Sequence, residues 1–418
     1  MSKYFFSTLV FVLLVSNLLT ACRQSEPPFE CTDEIGCVTL APDEAIKLGV
    51  LQDTSAGVVP LAIDQIRSVE LALSKRTYQL LGHAIETINL DGECTPSGGA
   101  NAALQMAADP QVVGIIGTQC SASAVGAGQV MSEAGLVMIS GGNGSPSLTS
   151  LNGVQGADWQ PGYFRTMYNA EVEAEAMANF VFQVGASRLA MVNNGDAVSL
   201  GIAQNAANVF TQLGGEIVLD ERVNIDDVDM QPILTAIANA RPDFTLILLF
   251  PPEAAAIITQ ASVMPELKDV PIISTSPLAT ETFVQAVGLD GIGTHLISVN
   301  VPASVAVDEL EANYVQTFGE RPAHSAFYVF GYDATNLLLD SIAKVAVQEA
   351  DGTLYIGRQA LRNALYGTVN FEGVSGKLTC DQFGDCGAPQ YGIMRLDDPA
   401  AGIEGLRSNI VYTYEPEK

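Results

Sequence analysis

From Ile46 onward the chain alternates between short apolar runs and longer stretches whose apolar residues recur at helical spacing. The runs cover 46–52, 83–90, 112–119, 136–142, 188–194, 216–223, 244–250, 270–276 and 295–301. Helix-like stretches between them include 121–134, 171–185, 199–214, 230–241 and 253–264. Runs such as FTLILLF (244–250) are continuously apolar rather than alternating, which predicts strands buried on both faces. Buried strands separated by helices predict an α/β fold with doubly wound parallel sheets. A globular part of about 370 residues is long for one such sheet, so two lobes are expected.

The pattern is absent upstream. Residues 23–45 are polar, carry prolines and lack periodicity. Residues 22–45 therefore read as a tether with one small disulfide loop. Before them, Lys3 precedes an apolar stretch from Phe5 to Leu19, which ends in Leu19-Thr20-Ala21-Cys22. This predicts a secretory signal over 1–21, with Cys22 as the thiol that bacterial lipoprotein processing lipidates. An ordinary signal with a chance cysteine, or an uncleaved anchor helix, are the alternatives. The run is short for a bilayer span of about 20 residues, which favours a lipid anchor on the membrane surface.

Charge narrows the partners. The 19 Lys+Arg against 47 Asp+Glu give a net charge of −28. Such a chain is not expected to hold nucleic acid through its phosphates. It also disfavours a strongly anionic ligand, although adaptation to salt would give the same balance. Of the seven cysteines, Cys22 goes to lipid. Among the other six, spacing suggests Cys31–Cys37 and Cys380–Cys386, leaving Cys94 with Cys120. Oxidised pairs fit an extracytoplasmic compartment. No metal is expected, since Cys-x-x-Cys is absent and His83, His295 and His324 are scattered. Asp226, Asp227 and Asp229 could suggest calcium, but Asp229 reads better as the N-cap of a helix beginning at Met230. Trp159 either lines a cleft mouth or packs a hinge. Phosphate-loop, dinucleotide, nucleophile-elbow and zinc-protease motifs are all absent. Neither catalysis nor a cofactor is expected.

Two loops carry candidate binding chemistry. Gly117-Thr118-Gln119-Cys120-Ser121 and Gly141-Gly142-Asn143-Gly144-Ser145-Pro146 each fall where a strand gives way to a helix. Ligands of open α/β sheets bind beyond the carboxyl ends of strands, and glycines there admit close approach. A plain turn with an N-cap serine would read the same way. Two such loops on neighbouring strands favour a site.

Several stretches, in order, carry a family resemblance: IKLGVLQ, VVGIIGTQCSASA, GLVMISGGNGSPSLT, YFRTMYN, LGGEIVLDERVNIDDVDMQPIL, ARPDFTLILLF, FYVFGYDATNLLLDSI and VNFEGVSGKLTCDQFGD. Over roughly 46–412 the chain resembles the leucine/isoleucine/valine-binding branch of the type I periplasmic binding proteins. The resemblance implies two Rossmann-like lobes, 46–167 plus 302–371 and 168–301 plus 372–414. Crossovers are implied near Met167, Val299–Pro302 and Phe371–Lys377. It also supports pairing Cys94 with Cys120.

A ligand between the lobes would meet Ser121, Gly142, Asn143, Gly144 and Ser145 through its carboxylate. The family's second-lobe tyrosine falls on Val198, its covering aromatic on Phe250 and its ammonium-pairing acid on Ser276. Gly144 stands where a hydroxyl is usual. These departures imply a ligand with a carboxylate or amide head, an apolar body and no free ammonium. The rival is an amino acid whose ammonium meets Glu281, Asp196 or Asp53. The resemblance implies a monomeric receptor that captures an amino acid or related carboxylate or amide and delivers it to an ABC transporter permease. A sensor reporting to a signalling partner would have the same pocket.

Overall fold

The computed structural model describes residues 29–416 except 56, 57, 225, 325 and 388. The signal segment and Cys22 lie outside the described residues. Two main sheets organise the chain. The first runs, edge to edge, Gln79–Leu80, His83–Asp91, Ile46–Gln52, Val112–Gly117, Val137–Ser140 and Tyr163–Arg165. All its pairings are parallel except that of the short outer strand. The second runs Glu216–Arg222, Arg188–Asn193, Phe244–Leu248, Ile272–Ser274, His295–Val299, Tyr391–Arg395 and Ile410–Tyr414. Its last two strands are antiparallel additions to a parallel set.

The two parallel sets are wound alike. In each, the earliest strand lies between the second and the third. The winding direction therefore reverses between Ile46–Gln52 and Val112–Gly117, and again between Arg188–Asn193 and Phe244–Leu248. At such switch points the loops leave in opposite directions and open a crevice at the strands' carboxyl ends. Val112–Gly117 and Phe244–Leu248 are buried throughout, as continuous apolar runs require. Several strands stop before their apolar runs do: 112–119 pairs only to Gly117, and 270–276 only over Ile272–Ser274. Thr118, Gln119, Thr275 and Ser276 are buried in loops past the strand ends rather than in the ladder, which hydropathy does not distinguish.

Helices cover both faces. Thr95, Asn169 and Asp196 cap Pro96–Ala107, Ala170–Gln183 and Ala197–Gln212 through side-chain oxygens, satisfying otherwise orphaned N–H groups. The helix expected from Met230 is Gln231–Ala240, with Met230 at the cap position. Asp229 still accepts from the Gln231 N–H at 3.0 Å, so its capping role survives one residue out of register.

The chain passes between the sheets three times. The first passage follows Arg165, through Met167 and Tyr168. The second leaves Val299 for the helix Val305–Phe318, whose Leu310 and Tyr314 pack with Leu71 and Ala72. The third falls between Cys386, in the first-sheet core, and Tyr391, paired with Val299. It lies downstream of Phe371–Lys377 because 380–386 is tied to the first sheet. Backbone bonds join Arg165 N–H to Gly384 and Cys386 N–H to Arg165, and the Arg165 guanidinium pairs with Asp385. The Trp159 indole N–H donates to the Phe383 carbonyl at 3.0 Å, so Trp159 fastens this loop.

The stretch read as a tether is partly built into the fold. Cys37–Leu40 pairs antiparallel with Leu354–Gly357, which also pairs with Val347–Gln348. The bridges Cys31–Cys37, Cys94–Cys120 and Cys380–Cys386 are formed.

Candidate functional site

The first sheet's switch point is organised by Asp53, which follows strand Ile46–Gln52 and is 0% exposed. Its carboxylate accepts from the N–H groups of Cys94 (2.8 Å), Gln119 (3.1 Å) and Cys120 (2.6 Å), and from the Ser123 hydroxyl (2.5 Å). A buried carboxylate is tolerable when its lone pairs are met in this way. Asp53 and the Cys94–Cys120 bridge hold the start of helix Ser121–Glu133 against the strand end. Gly117 makes the contact possible: a Cβ there would come 1.9 Å from the Leu51 carbonyl oxygen.

The glycine-rich loop is held just as firmly. The Ser140 hydroxyl accepts from the N–H groups of Gly142 and Asn143. Asn143 is 0% exposed; its side-chain amide donates to Thr118 and its oxygen accepts from the Tyr163 hydroxyl. The buried Arg165 guanidinium donates to the Asn143 and Ser145 carbonyls. Ser145 caps the turn Pro146–Leu148 with its hydroxyl, and its N–H donates to Ser121 Oγ at 3.2 Å. Ser121, Gly144 and Ser145 are thus brought together. Accepting from Ser145 leaves the Ser121 hydroxyl proton free to donate. Around Gly144 there is room, since an added Cβ would meet only Ala170 at 3.7 Å.

This loop faces the second lobe. A Cβ on Gly201, in helix Ala197–Gln212, would lie 3.9 Å from Pro146, and the Gly144 carbonyl accepts from the Ala170 N–H at 2.8 Å. Val198 sits in the first turn of that helix, half-buried against the core. Phe250 precedes helix Pro251–Ser262 and is 41% exposed, leaving its ring at the strand end. Ser276 is buried in the turn Ser276–Leu278. Its backbone N–H donates to the carboxylate of Glu173.

Glu173 was not anticipated. It lies on helix Ala170–Gln183, just after the first crossover, and is 6% exposed. Its Oε1 has no hydrogen-bond partner within the protein. Burial raises its pKa from the ordinary carboxylate range to about 7, and the single Ser276 N–H only partly opposes this. Its negative charge acts on the buried Tyr391, whose ring packs edge-on against Tyr168 at 5.7 Å. Both tyrosine hydroxyls are also unpartnered. So are both polar atoms of the Gln52 amide, Gln119 Oε1 and Asn194 Nδ2. Buried polar groups are ordinarily hydrogen-bonded, and these sit at the carboxyl ends of both sheets or at the crossovers. Two surface cavities of about 320 and 370 Å³ lie elsewhere and are lined by none of these groups.

A family model for periplasmic binding proteins matches residues 45–397. The chain belongs to the periplasmic binding protein family. An amino acid binding protein of Pseudomonas aeruginosa is 23% identical over 180 residues, spanning 43% of this chain and less than half (46%) of that protein. Two solved structures share the fold. The Streptococcus pneumoniae branched-chain amino acid transporter substrate-binding protein LivJ, in complex with isoleucine, has TM-score 0.72 and 20% identity, covering 89% of this chain and 100% of that one. An R. palustris ABC transporter solute-binding protein in complex with 4-hydroxybenzoate has TM-score 0.74 and 17% identity, covering 90% and 98%.

As a periplasmic binding protein the chain captures a solute rather than transforming one, and the family implies an extracytoplasmic location. No helix among the described residues is long and apolar enough to cross a membrane. Within this frame Asn143 serves the interior, Ser121, Gly144 and Ser145 lie where the first-lobe loop approaches helix Ala197–Gln212, which carries Val198, and Phe250 stands apart at the start of helix Pro251–Ser262. No acid stands at Ser276 itself, and the Glu173 carboxylate lies beside it. The three rival acids are otherwise engaged. Asp53 is saturated, Asp196 caps its helix through Val198 and Ser199, and Glu281 holds Ile403 and Gln285. One sequence signal pointed to Glu173. Ala170, Ala174, Met177 and Val181 mark the helix's apolar stripe, and Glu173 falls on that stripe among alanines rather than on the polar face.

Proposed function

We propose that this periplasmic binding protein is the capture subunit of an ABC-type importer. It closes its lobes on an amino acid or a related small carboxylate or amide and presents the closed form to a membrane permease. The observation that carries this reading is the set of buried, unpartnered polar groups contributed by both sheets: Gln52 and Gln119 from one, Asn194 and Glu173 from the other. Groups of this kind are stabilised when a ligand supplies the missing partners. The ligands of the two solved relatives, isoleucine and 4-hydroxybenzoate, each bear a carboxylate. In this chain the Ser121 hydroxyl and the first turn of its helix offer the matching donors. The working lobes are those on either side of the crossovers at Met167, at Val301 and between Cys386 and Tyr391. The protein acts as a monomer, held to the membrane by lipid on Cys22.

A thermal-shift screen of the mature protein against amino acids, amides, aliphatic acids and aromatic acids tests capture. A ligand present at about 100 times its Kd should add roughly 2.7 kcal/mol of stability. Failure of every class would remove the reading. Intact-mass analysis of membrane-extracted protein tests the anchor: a chain beginning at lipidated Cys22 is expected, and an unmodified soluble chain would refute it.

A further inference from the structure

We propose that Glu173, helped by the hydroxyl of Tyr391, is the cation-recognising element of the cleft and receives an ammonium group of the ligand. The inference rests on the receptor reading and specifies which solutes the receptor takes. Oxygen Oε1 of Glu173 is buried without a partner; the hydroxyl of Tyr391, which feels the Glu173 charge, also lacks one, as does that of Tyr168, whose ring packs against Tyr391. A buried carboxylate oxygen without a partner, with an unpartnered tyrosine hydroxyl in its field, suits an ion with several N–H donors. An ammonium supplies three.

The element that would otherwise fill this role is uncharged here, since position 276 is serine. Its backbone N–H instead fixes the Glu173 carboxylate. The carboxylate thus arrives from helix Ala170–Gln183 rather than from the loop after Ile272–Ser274. Arg165, which acts on Tyr391, cannot do the work of a ligand: it is committed to Asp385, Thr149 and two loop carbonyls. The upward shift of the Glu173 pKa by burial agrees with an anion lacking its counter-ion. An ammonium there would reverse the shift. On the opposite wall, the Ser121 hydroxyl takes the other end of the ligand, so a zwitterion would span the cleft from one lobe to the other. A neutral Glu173 donating its proton to a ligand oxygen is the competing chemistry, and it predicts the opposite preference.

The test is calorimetry on the mature protein with three matched pairs: leucine and 4-methylpentanoate, phenylalanine and 3-phenylpropanoate, 4-aminobutanoate and butanoate. At least one amine-bearing member should bind about tenfold or more tighter than its partner. Glu173→Gln should weaken that member by about 10–100-fold, the range of a charge-assisted hydrogen bond. The desamino partner should change far less. Tyr391→Phe, which removes only a hydroxyl, should weaken the amine by about 3–10-fold. The melting temperature of ligand-free Glu173→Gln should not fall, which separates lost recognition from lost folding. The inference is overturned if the desamino acids bind and the amines do not, or if Glu173→Gln leaves the amine's affinity unchanged. Binding by neither member of any pair, while another class of solute binds, also overturns it. No binding by any solute removes the receptor reading, and this inference with it.

Discussion

Two buried carboxylates, one in each lobe, show how differently the same group can be used. Asp53 receives four donors, three of them backbone N–H groups of loops that must stay in place. Glu173 receives one, from Ser276, and keeps an oxygen without a partner. Both are buried at the carboxyl end of a sheet or just past a crossover. A saturated carboxylate has no capacity left for a ligand and acts as a clamp. An unsaturated one costs stability in the ligand-free protein and keeps that capacity for a partner from outside. Burial alone does not separate clamp from receptor group; the count of donors does.

The sharpest way to break this comparison is to neutralise each group. Asp53→Asn puts an amide N–H against N–H donors and should cost about 3–5 kcal/mol in urea unfolding. Glu173→Gln should change ligand-free stability by less than about 1 kcal/mol or raise it. Equal losses would end the distinction. Opening the bridge beside Asp53 with Cys94→Ser and Cys120→Ser should cost about 2–4 kcal/mol. Because both cysteines also donate to Asp53, this loss and that of Asp53→Asn should not add.

The pH dependence sharpens the other side. The folded pKa of Glu173 stands near 7, above its ordinary value, so the folded form binds its proton more tightly than the unfolded chain. Its contribution is therefore complete below about pH 4.5 and is lost as pH rises through about 7. Relative to Glu173→Gln, the ligand-free protein should lose up to about 1.4 kcal/mol per pH unit across that window. Asp64 and Asp333, both raised to about 6 by burial, shift in the same sense. They are common to both proteins and cancel in the difference. A difference that does not vary with pH would show that Glu173 is charged and satisfied in the free fold.

The smallest effects test the first-lobe loop. Gly142→Ala would push a Cβ to 2.5 Å from Gln119 Oε1 and should cost about 1–3 kcal/mol. Gly144→Ser meets only Ala170 and should stay within about 0.5 kcal/mol while adding a hydroxyl to the cleft. Thermal melts of the two variants decide whether the loop is tight at one glycine and open at the next.

Much of the fold was legible because it rests on local pattern. The run 46–52 matches the strand Ile46–Gln52 residue for residue, and 83–90, 188–194 and 216–223 differ from their strands by one residue. Pairings across long sequence distance were not legible. Cys37–Leu40 resembles a tether until its partner Leu354–Gly357 is known, and Tyr163–Arg165 is too short to register as a run. In the site, strand-end glycines and Ser121 could be read from turn chemistry. Asn143 could not be separated from them, because what turns it inward is Tyr163 and Thr118. The buried carboxylate next to Ser276 is carried by another element, Glu173 on helix Ala170–Gln183, and only its place on an apolar helical stripe marks it in the sequence.

The pairing of Cys37–Leu40 with Leu354–Gly357 also sets a mechanical asymmetry. Whatever pulls on the N-terminal segment loads that small sheet and, through it, the lobe that carries Asp53. The lobe that carries Glu173 feels the load only through the three crossovers. Tension along the N-terminal segment would therefore be borne upstream of the crossovers, and the second lobe would stay clear of it.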